Sequence, residues 1–262
     1  RPNPLSREHV HWEIIYDAAE HSRKPATSSE APRFGRAPWI LPDESGLSAG
    51  QALRQRRSAT AFDRRKGIPG PHFLAMLDKT LPRDGVAPFD VGLGEPTVHL
   101  LVFVHDVAGF PAGLYFFARN DRDLPELRTV TRPEFLWESV RPGFPLFLLR
   151  TGDFRSTAAM VSCHQDIAGS SAFSLGMLAR FGCIVDREPF RYRRLFWETG
   201  LIGQTLYLEA ESRGVRGTGI GCFFDDAVHD LIGIADEGYQ SLYHFTMGHP
   251  VEDPRLSTLP PY

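Results

Sequence analysis

The sequence predicts an α+β protein. Short apolar runs rich in β-branched and aromatic residues, Val98–Val104 foremost, have the length of buried strands. One much longer segment, Phe190–Arg213, repeats Tyr192, Leu195, Phe196, Thr199, Ile202, Leu206 and Ala210 at helical spacings of three and four. The two kinds of segment mix without a regular strand–helix rhythm, which argues against a doubly wound parallel sheet.

The elements follow in chain order. Residues 1–45 are punctuated by Pro2, Pro4, Pro25, Pro32, Pro38 and Pro42 and read as an extended N-terminal arm, with one helical stretch at Glu8–Ala19. The domain proper occupies 46–262. Ser48–Gln55 is helical and runs into a basic cluster, Arg54-Gln55-Arg56-Arg57-Ser58. His72–Leu81 is a second helix, with Phe73, Leu74, Leu77 and Leu81 on one face. Val98–Val104 (VHLLVFV) is a buried strand and Gly113–Phe117 its hairpin partner. Phe144–Leu149 is a third strand, Ser156–Ala168 a helix and Phe173–Phe181 a further strand.

Within Phe190–Arg213, Gly200 and Gly203 each cost roughly 1 kcal/mol against Ala in a helix interior. A close helix–helix approach is the expected compensation. Gly214 suits the end of this helix. Asp225–Leu231 is a short helix with Asp225 or Asp226 as its N-cap, and Leu242–Met247 is the last strand.

Composition narrows the function classes. Of 262 residues, 42% are hydrophobic and 23% charged, so the chain can bury a sizeable core. The net charge of −3 argues against a general nucleic-acid or anionic-membrane binder. No apolar run approaches the roughly 20 residues that span a bilayer. Cys163, Cys183 and Cys222 are odd in number and widely spaced, so they suit neither a disulfide framework nor a zinc site. With no secretory pattern at the N-terminus, a cytoplasmic location is the expectation.

Several stretches could carry chemistry. Arg56, Arg57 and Ser58 offer two guanidinium forks and a hydroxyl, which match phosphate oxygens; the plain alternative is a solvated helix end. Gly214, Gly217, Gly219 and Gly221 (GVRGTGIG) let backbone N–H groups approach a ligand. They follow a long helix, so a dinucleotide fingerprint is a weak reading and a tight helix-to-strand connection a strong one. Cys163-His164-Gln165-Asp166 lacks a partner geometry in sequence and reads as a buried Cys on a helix. Cys222 reads as a small core residue. His244, His249 and Arg255 are ambiguous. No metal-ligand spacing and no nucleophile elbow is present.

Taken in order, these segments resemble the FMN-dependent nitroreductase superfamily. Arg56-Arg57-Ser58-Ala59-Thr60-Ala61-Phe62-Asp63 resembles its first FMN motif. Gly113-Leu114-Tyr115 and Gln165-Asp166 with Ala168 resemble the SagB-type, thiazoline/oxazoline dehydrogenase-like branch. So do Glu198-Thr199-Gly200 with Gln204 and Leu206-Tyr207-Leu208, then Gly221-Cys222-Phe223-Phe224-Asp225-Asp226, then Met247-Gly248-His249-Pro250. The chain also resembles the second half of tandem members of that branch.

The resemblance implies a central, mostly antiparallel sheet flanked by helices, long dimer-forming helices, and FMN in a cleft between subunits. It implies that Arg56 holds the FMN phosphate and that Arg57 and Ser58 line the phosphate and ribityl chain. Thr60 falls near the flavin pyrimidine, where the family carries Arg or Lys. Gly219, Ile220 and Gly221 would form a loop with an N–H near flavin N5. His249 and Arg255 would add phosphate contacts. The expected partners are a small-molecule substrate, NAD(P)H as reductant, and a second copy or a second nitroreductase-like domain.

The chain also departs from that pattern. Thr60 lacks the positive charge, Leu201 replaces His and Thr205 replaces Asn. Gly92-Leu93-Gly94-Glu95-Pro96 replaces a Pro-Ser-Gly-rich loop, and Asp186-Arg187-Glu188-Pro189 replaces the Lys-Tyr pair of azoline dehydrogenases. Peptide azoline oxidation is therefore not expected, and no catalytic residue is assigned. Two functions follow as expectations: an FMN-dependent oxidoreductase, or a flavin-free module of the same fold that serves dimerisation or protein and peptide binding.

Overall fold

A computed structural model describes residues 8, 10–26, 46–255 and 257. In chain order these form α1 (Glu13–His21), α2 (Ala49–Gln55), α3 (Gly70–Lys79), β1 (Val98–Val104), β2 (Gly113–Phe117), α4 (Leu124–Val130), β3 (Glu138–Arg141), β4 (Phe144–Thr151), α5 (Arg155–Val161), α6 (Asp166–Ser170), β5 (Phe173–Arg180), α7 (Gly182–Arg187), α8 (Arg191–Ser212), β6 (Arg216–Ile220), α9 (Asp225–Ile232) and β7 (Tyr239–Gly248).

The strands make one sheet in the order β3-β4-β2-β1-β5-β7-β6. Every pairing in it is antiparallel. Helices cover both faces, which explains why β1 is apolar at nearly every position rather than alternating. Val98, Leu100, Val102 and Val104 face the core under α3 and α8, whereas Leu101 and Phe103 face the one under α5 and α9. This is the expected α+β architecture with a central antiparallel sheet.

A buried ion pair ties α8 to the sheet. Arg119, just past β2, is fully buried and pairs with Glu198 of α8. It also donates to the Val98 and Thr80 carbonyls at 2.8 and 2.9 Å. Glu198 accepts from the Thr97 N–H and hydroxyl at 3.1 and 2.8 Å. These bonds join the two buried charges, Thr80, Thr97 and Val98 in one network.

Several expectations need correction. The first helix lies at Glu13–His21 rather than Glu8–Ala19. It rests on α8, where Arg193 donates to Ser22 Oγ and to the Ala19 carbonyl, both at 2.7 Å; the rest of the predicted arm lies outside the described residues. The helix expected over Ser156–Ala168 is two short helices, because Cys163 and His164 adopt left-handed φ of 60° and 55°. The glycine-rich stretch is not a loop: Arg216–Ile220 is a strand paired with β7. Phe224, not Asp225 or Asp226, is the N-cap of α9.

The α8 glycines also behave differently from expectation. Gly203 packs against the Phe245 ring of β7, 3.8 Å from where its Cβ would lie, so the close approach is helix to sheet. A Cβ on Gly200 would meet nothing within 4 Å. Gly214, at φ 68°, ends α8 as expected. The Gly214 N–H donates to the Glu211 carbonyl and the Val215 N–H to the Ala210 carbonyl, the paired bonds of a Schellman motif.

Candidate functional site

The basic cluster is positioned by a well-made short helix. Ser48 caps α2 through a reciprocal pair of bonds with Gln51, at 3.3 and 3.0 Å. At Arg56 the backbone leaves the helix (ψ 129°), and the chain then runs along the end of the sheet. The Ala59 N–H donates to the Gly217 carbonyl at 3.2 Å and Thr218 Oγ1 donates to the Ala59 carbonyl at 2.7 Å. The Asp63 N–H donates to the His249 carbonyl and the Val251 N–H to the Ala61 carbonyl, each at 2.9 Å. Three pieces distant in sequence, 56–63, 216–220 and 249–251, are thereby laid side by side.

Tyr207 of α8 joins them. Its hydroxyl accepts the Gly219 N–H at 2.8 Å and lies 2.8 Å from Ser58 Oγ. With the hydroxyl oxygen already accepting from Gly219, its proton is free to go to Ser58. The Arg56 guanidinium lies over the same ring, 4.4 Å from the centroid. The ring is held edge-on against Phe245 at 4.7 Å. Among the described residues Arg56 has no carboxylate partner.

The other predicted site residues divide. Arg57 turns back onto its own helix and donates to the Arg54 and Arg56 carbonyls at 2.9 and 2.7 Å. Thr60 is exposed. Gly219 and Ile220 belong to β6, with the Ile220 side chain buried, and Gly221 follows the strand end. His249 is half-buried and joins the corner through its carbonyl. Arg255 is held in a turn by Asp253 at 2.7 Å, and that contact holds the Asp253 carboxyl below its usual range. Arg56, Ser58, Gly219 and His249 therefore come together, while Arg57 and Arg255 are engaged elsewhere.

The sequence reading left Tyr207 without a role. Its spacing carried a signal: it lies four residues after Gly203, on the same helix face, which packs against β7. Tyr192 is fifteen residues earlier on the same helix, roughly 22 Å from Tyr207 at 1.5 Å per residue. It lines a separate cavity of 280 Å³ with Phe181, Phe196, Phe223 and Leu242.

A buried imidazole supports the neighbouring region. His244 of β7 lies opposite Ile220, with Ser162 Oγ 3.0 Å from Nδ1 and Ser241 Oγ 3.2 Å from Nε2. Phe223 stacks on it at 4.7 Å and 18°. Burial pushes its pKa down to about 4, so the ring is neutral near pH 7. Among the described residues no group of three or more His, Cys, Asp or Glu is placed to hold a metal ion. Nor is any described helix long and apolar enough to cross a membrane.

Comparison with known proteins agrees with this architecture. Residues 172–249 match the model of the Nitroreductase family. A candidate nitroreductase from Anabaena variabilis superposes with a TM-score of 0.57 at 21% identity, over 75% of this chain and 37% of that one. A candidate nitroreductase from Ralstonia eutropha gives 0.57 at 18% identity, over 88% and 99%. A chain of the Escherichia coli microcin synthetase McbBCD complex with truncated pro-MccB17 bound gives 0.52 at 16% identity, over 94% and 85%. No curated protein matches the sequence. The fold is nitroreductase-like.

Proposed function

We propose that this chain is an FMN-dependent oxidoreductase of the nitroreductase type, whose phosphate-binding corner is built on Arg56, Ser58 and Tyr207. The observation that supports it most is the Arg56 guanidinium, which lies on the Tyr207 ring with no described carboxylate partner, beside the Ser58 hydroxyl and a glycine-rich strand. A guanidinium and a hydroxyl are the donors a phosphate monoester needs. The fit is good there and poorer elsewhere: Thr60 brings no charge, and Asp253 already neutralises Arg255.

FMN, when bound, supplies the hydride chemistry, and the protein supplies binding and orientation. In this reading Arg56 and Ser58 fix the phosphate and His249 borders it. The Gly219 N–H is released to the ligand only when the Tyr207 hydroxyl moves away. NAD(P)H is the reductant and a small unsaturated or nitro compound the acceptor. The cleft is completed by a second nitroreductase-like domain, a second copy or the other half of a SagB-type tandem protein. The coverage of 37% of the Anabaena chain favours the tandem arrangement, and that of 99% of the Ralstonia chain the single-domain one.

The test is to add excess FMN to the purified chain, gel-filter it and record the visible spectrum. About one retained flavin per chain, lost in Arg56→Ala, is the expected result. No retained flavin at a dimer's elution volume overturns the reading for the chain paired with its own copy, and leaves a missing partner half or the flavin-free pairing module. Retained flavin with unchanged affinity in Arg56→Ala overturns the assigned phosphate corner.

A further inference from the structure

Two of the three cysteines, 59 positions apart in sequence, meet on one surface. Cys163 lies in the link between α5 and α6, and Cys222 in the link between β6 and α9. The Phe224 N–H donates to the Val161 carbonyl at 2.9 Å, and Gln165 Nε2 donates to the Cys222 carbonyl at 3.1 Å. The His164 and Phe224 rings pack edge-on at 5.5 Å. Below, His244 holds Ser162 from one link and Phe223 from the other. The two links that carry the thiols are thus held together from beneath and from both sides. Cys222 is exposed and Cys163 half-buried, both as free thiols. This corrects the expectations of a buried helix cysteine and a small core residue: Cys163 is not on a helix and Cys222 is not in the core.

We propose that Cys163 and Cys222 are a redox-active dithiol, which closes to an intramolecular disulfide by exchange with a low-molecular-weight disulfide. The Cys222 thiolate attacks one sulfur of the small disulfide, giving a mixed disulfide and expelling one small thiolate. The Cys163 thiolate then attacks the Cys222 sulfur and expels the second. Two protein thiols are oxidised, one small disulfide is reduced to two thiols, and the two protein protons pass to the departing thiolates. The order follows from access, since the exposed sulfur meets the oxidant first. It agrees with the neighbouring Cys222 thiol, which pushes the Cys163 thiol pKa up and so disfavours its thiolate in the resting pair. The left-handed φ at both Cys163 and His164 is an uncommon backbone state for residues other than glycine, held here by the surrounding contacts. The consequence is a covalent tie between the α5–α6 link and the segment that begins at the end of β6. The proposal stands whether or not the chain binds flavin.

The experiment uses the full chain, oxidised glutathione and Cys183 as the internal control. Wild type is incubated with oxidised glutathione and desalted, and its thiols are counted and its peptides mapped without reduction. The expected result is loss of two of the three thiols, a single cross-link between the Cys163 and Cys222 peptides, and a Cys183 that still alkylates. Cys183→Ser closes the same link. Cys163→Ser instead stops at one stable glutathione adduct on Cys222. Separate adducts on Cys163 and Cys222 in wild type overturn the proposal. So do three unchanged thiols, or a cross-link that runs through Cys183.

Discussion

The Arg56 guanidinium lies over the Tyr207 ring, 4.4 Å from group to centroid. The same ring fastens Ser58 and Gly219 through its hydroxyl, so one side chain organises both halves of the proposed phosphate corner. Removing Arg56 deletes a charged donor worth about 1.5–3 kcal/mol. Arg56→Ala is expected to weaken FMN binding roughly 10- to 100-fold by fluorescence titration. Arg255→Ala should leave it within about twofold, because Asp253 already occupies that cation. Tyr207→Phe keeps the stacking and orphans the Gly219 N–H, at about 1 kcal/mol of folding stability in urea melts.

Glu198 is an ion-pair partner of the fully buried Arg119. Burial pulls the Arg119 pKa down and Glu198 opposes it. Glu198→Ala takes the Glu198 counter-charge from a cation in the core, so a loss of about 3–5 kcal/mol is expected. The check is a denaturant midpoint shift at unchanged m-value. A double change to apolar residues of similar volume should recover much of the loss.

Stability should fall on mild acidification. His244 and His105 are both buried, and burial pushes both pKa values down to about 4. The unfolded chain takes up these protons near pH 6.5 while the folded chain resists until about pH 4, so the unfolded state binds more protons in between. The histidine contribution is complete above about pH 6.5 and is lost as pH falls toward 4, at about 3 kcal/mol per residue. Urea midpoints across this window measure it. Replacing either histidine by Gln should flatten the slope.

Two glycines should respond with opposite signs. A Cβ on Gly217 would lie 2.5 Å from the Phe245 ring, so Gly217→Ala forces the strand away at about 1–3 kcal/mol. At Gly200 the Cβ meets nothing within 4 Å, and Gly200→Ala should raise helix stability by up to about 1 kcal/mol. Thermal melts at matched protein concentration distinguish them.

Much of the fold was legible because it rests on local apolar pattern. Val98–Val104 and the period of α8 announce themselves, and their partners follow. β6 was hidden because its glycines carry no strand preference; Gly217 belongs there because the Phe245 ring leaves no room for a side chain. β3 was hidden because its residues are largely exposed and polar, and only pairing with β4 makes it a strand. The break at Cys163–His164 depends on contacts to residues some sixty positions away, which no local window contains. In the candidate site, guanidinium and hydroxyl chemistry pointed to Arg56 and Ser58. The partnership with Tyr207 needed the third dimension. The loss of Arg255 to Asp253 was written two residues away.

The crossing of 57–63 over β6 has a further consequence. β6 is the last strand of the sheet, and such a strand offers unpaired backbone groups as a template for another chain. Here the Gly217 carbonyl is taken by Ala59 and the Gly219 amide by Tyr207. Residues 57–63 thus cover part of this edge. Clipping them away after Asp63 would free the Gly217 carbonyl, and the shortened protein should precipitate long before its core has lost any packing.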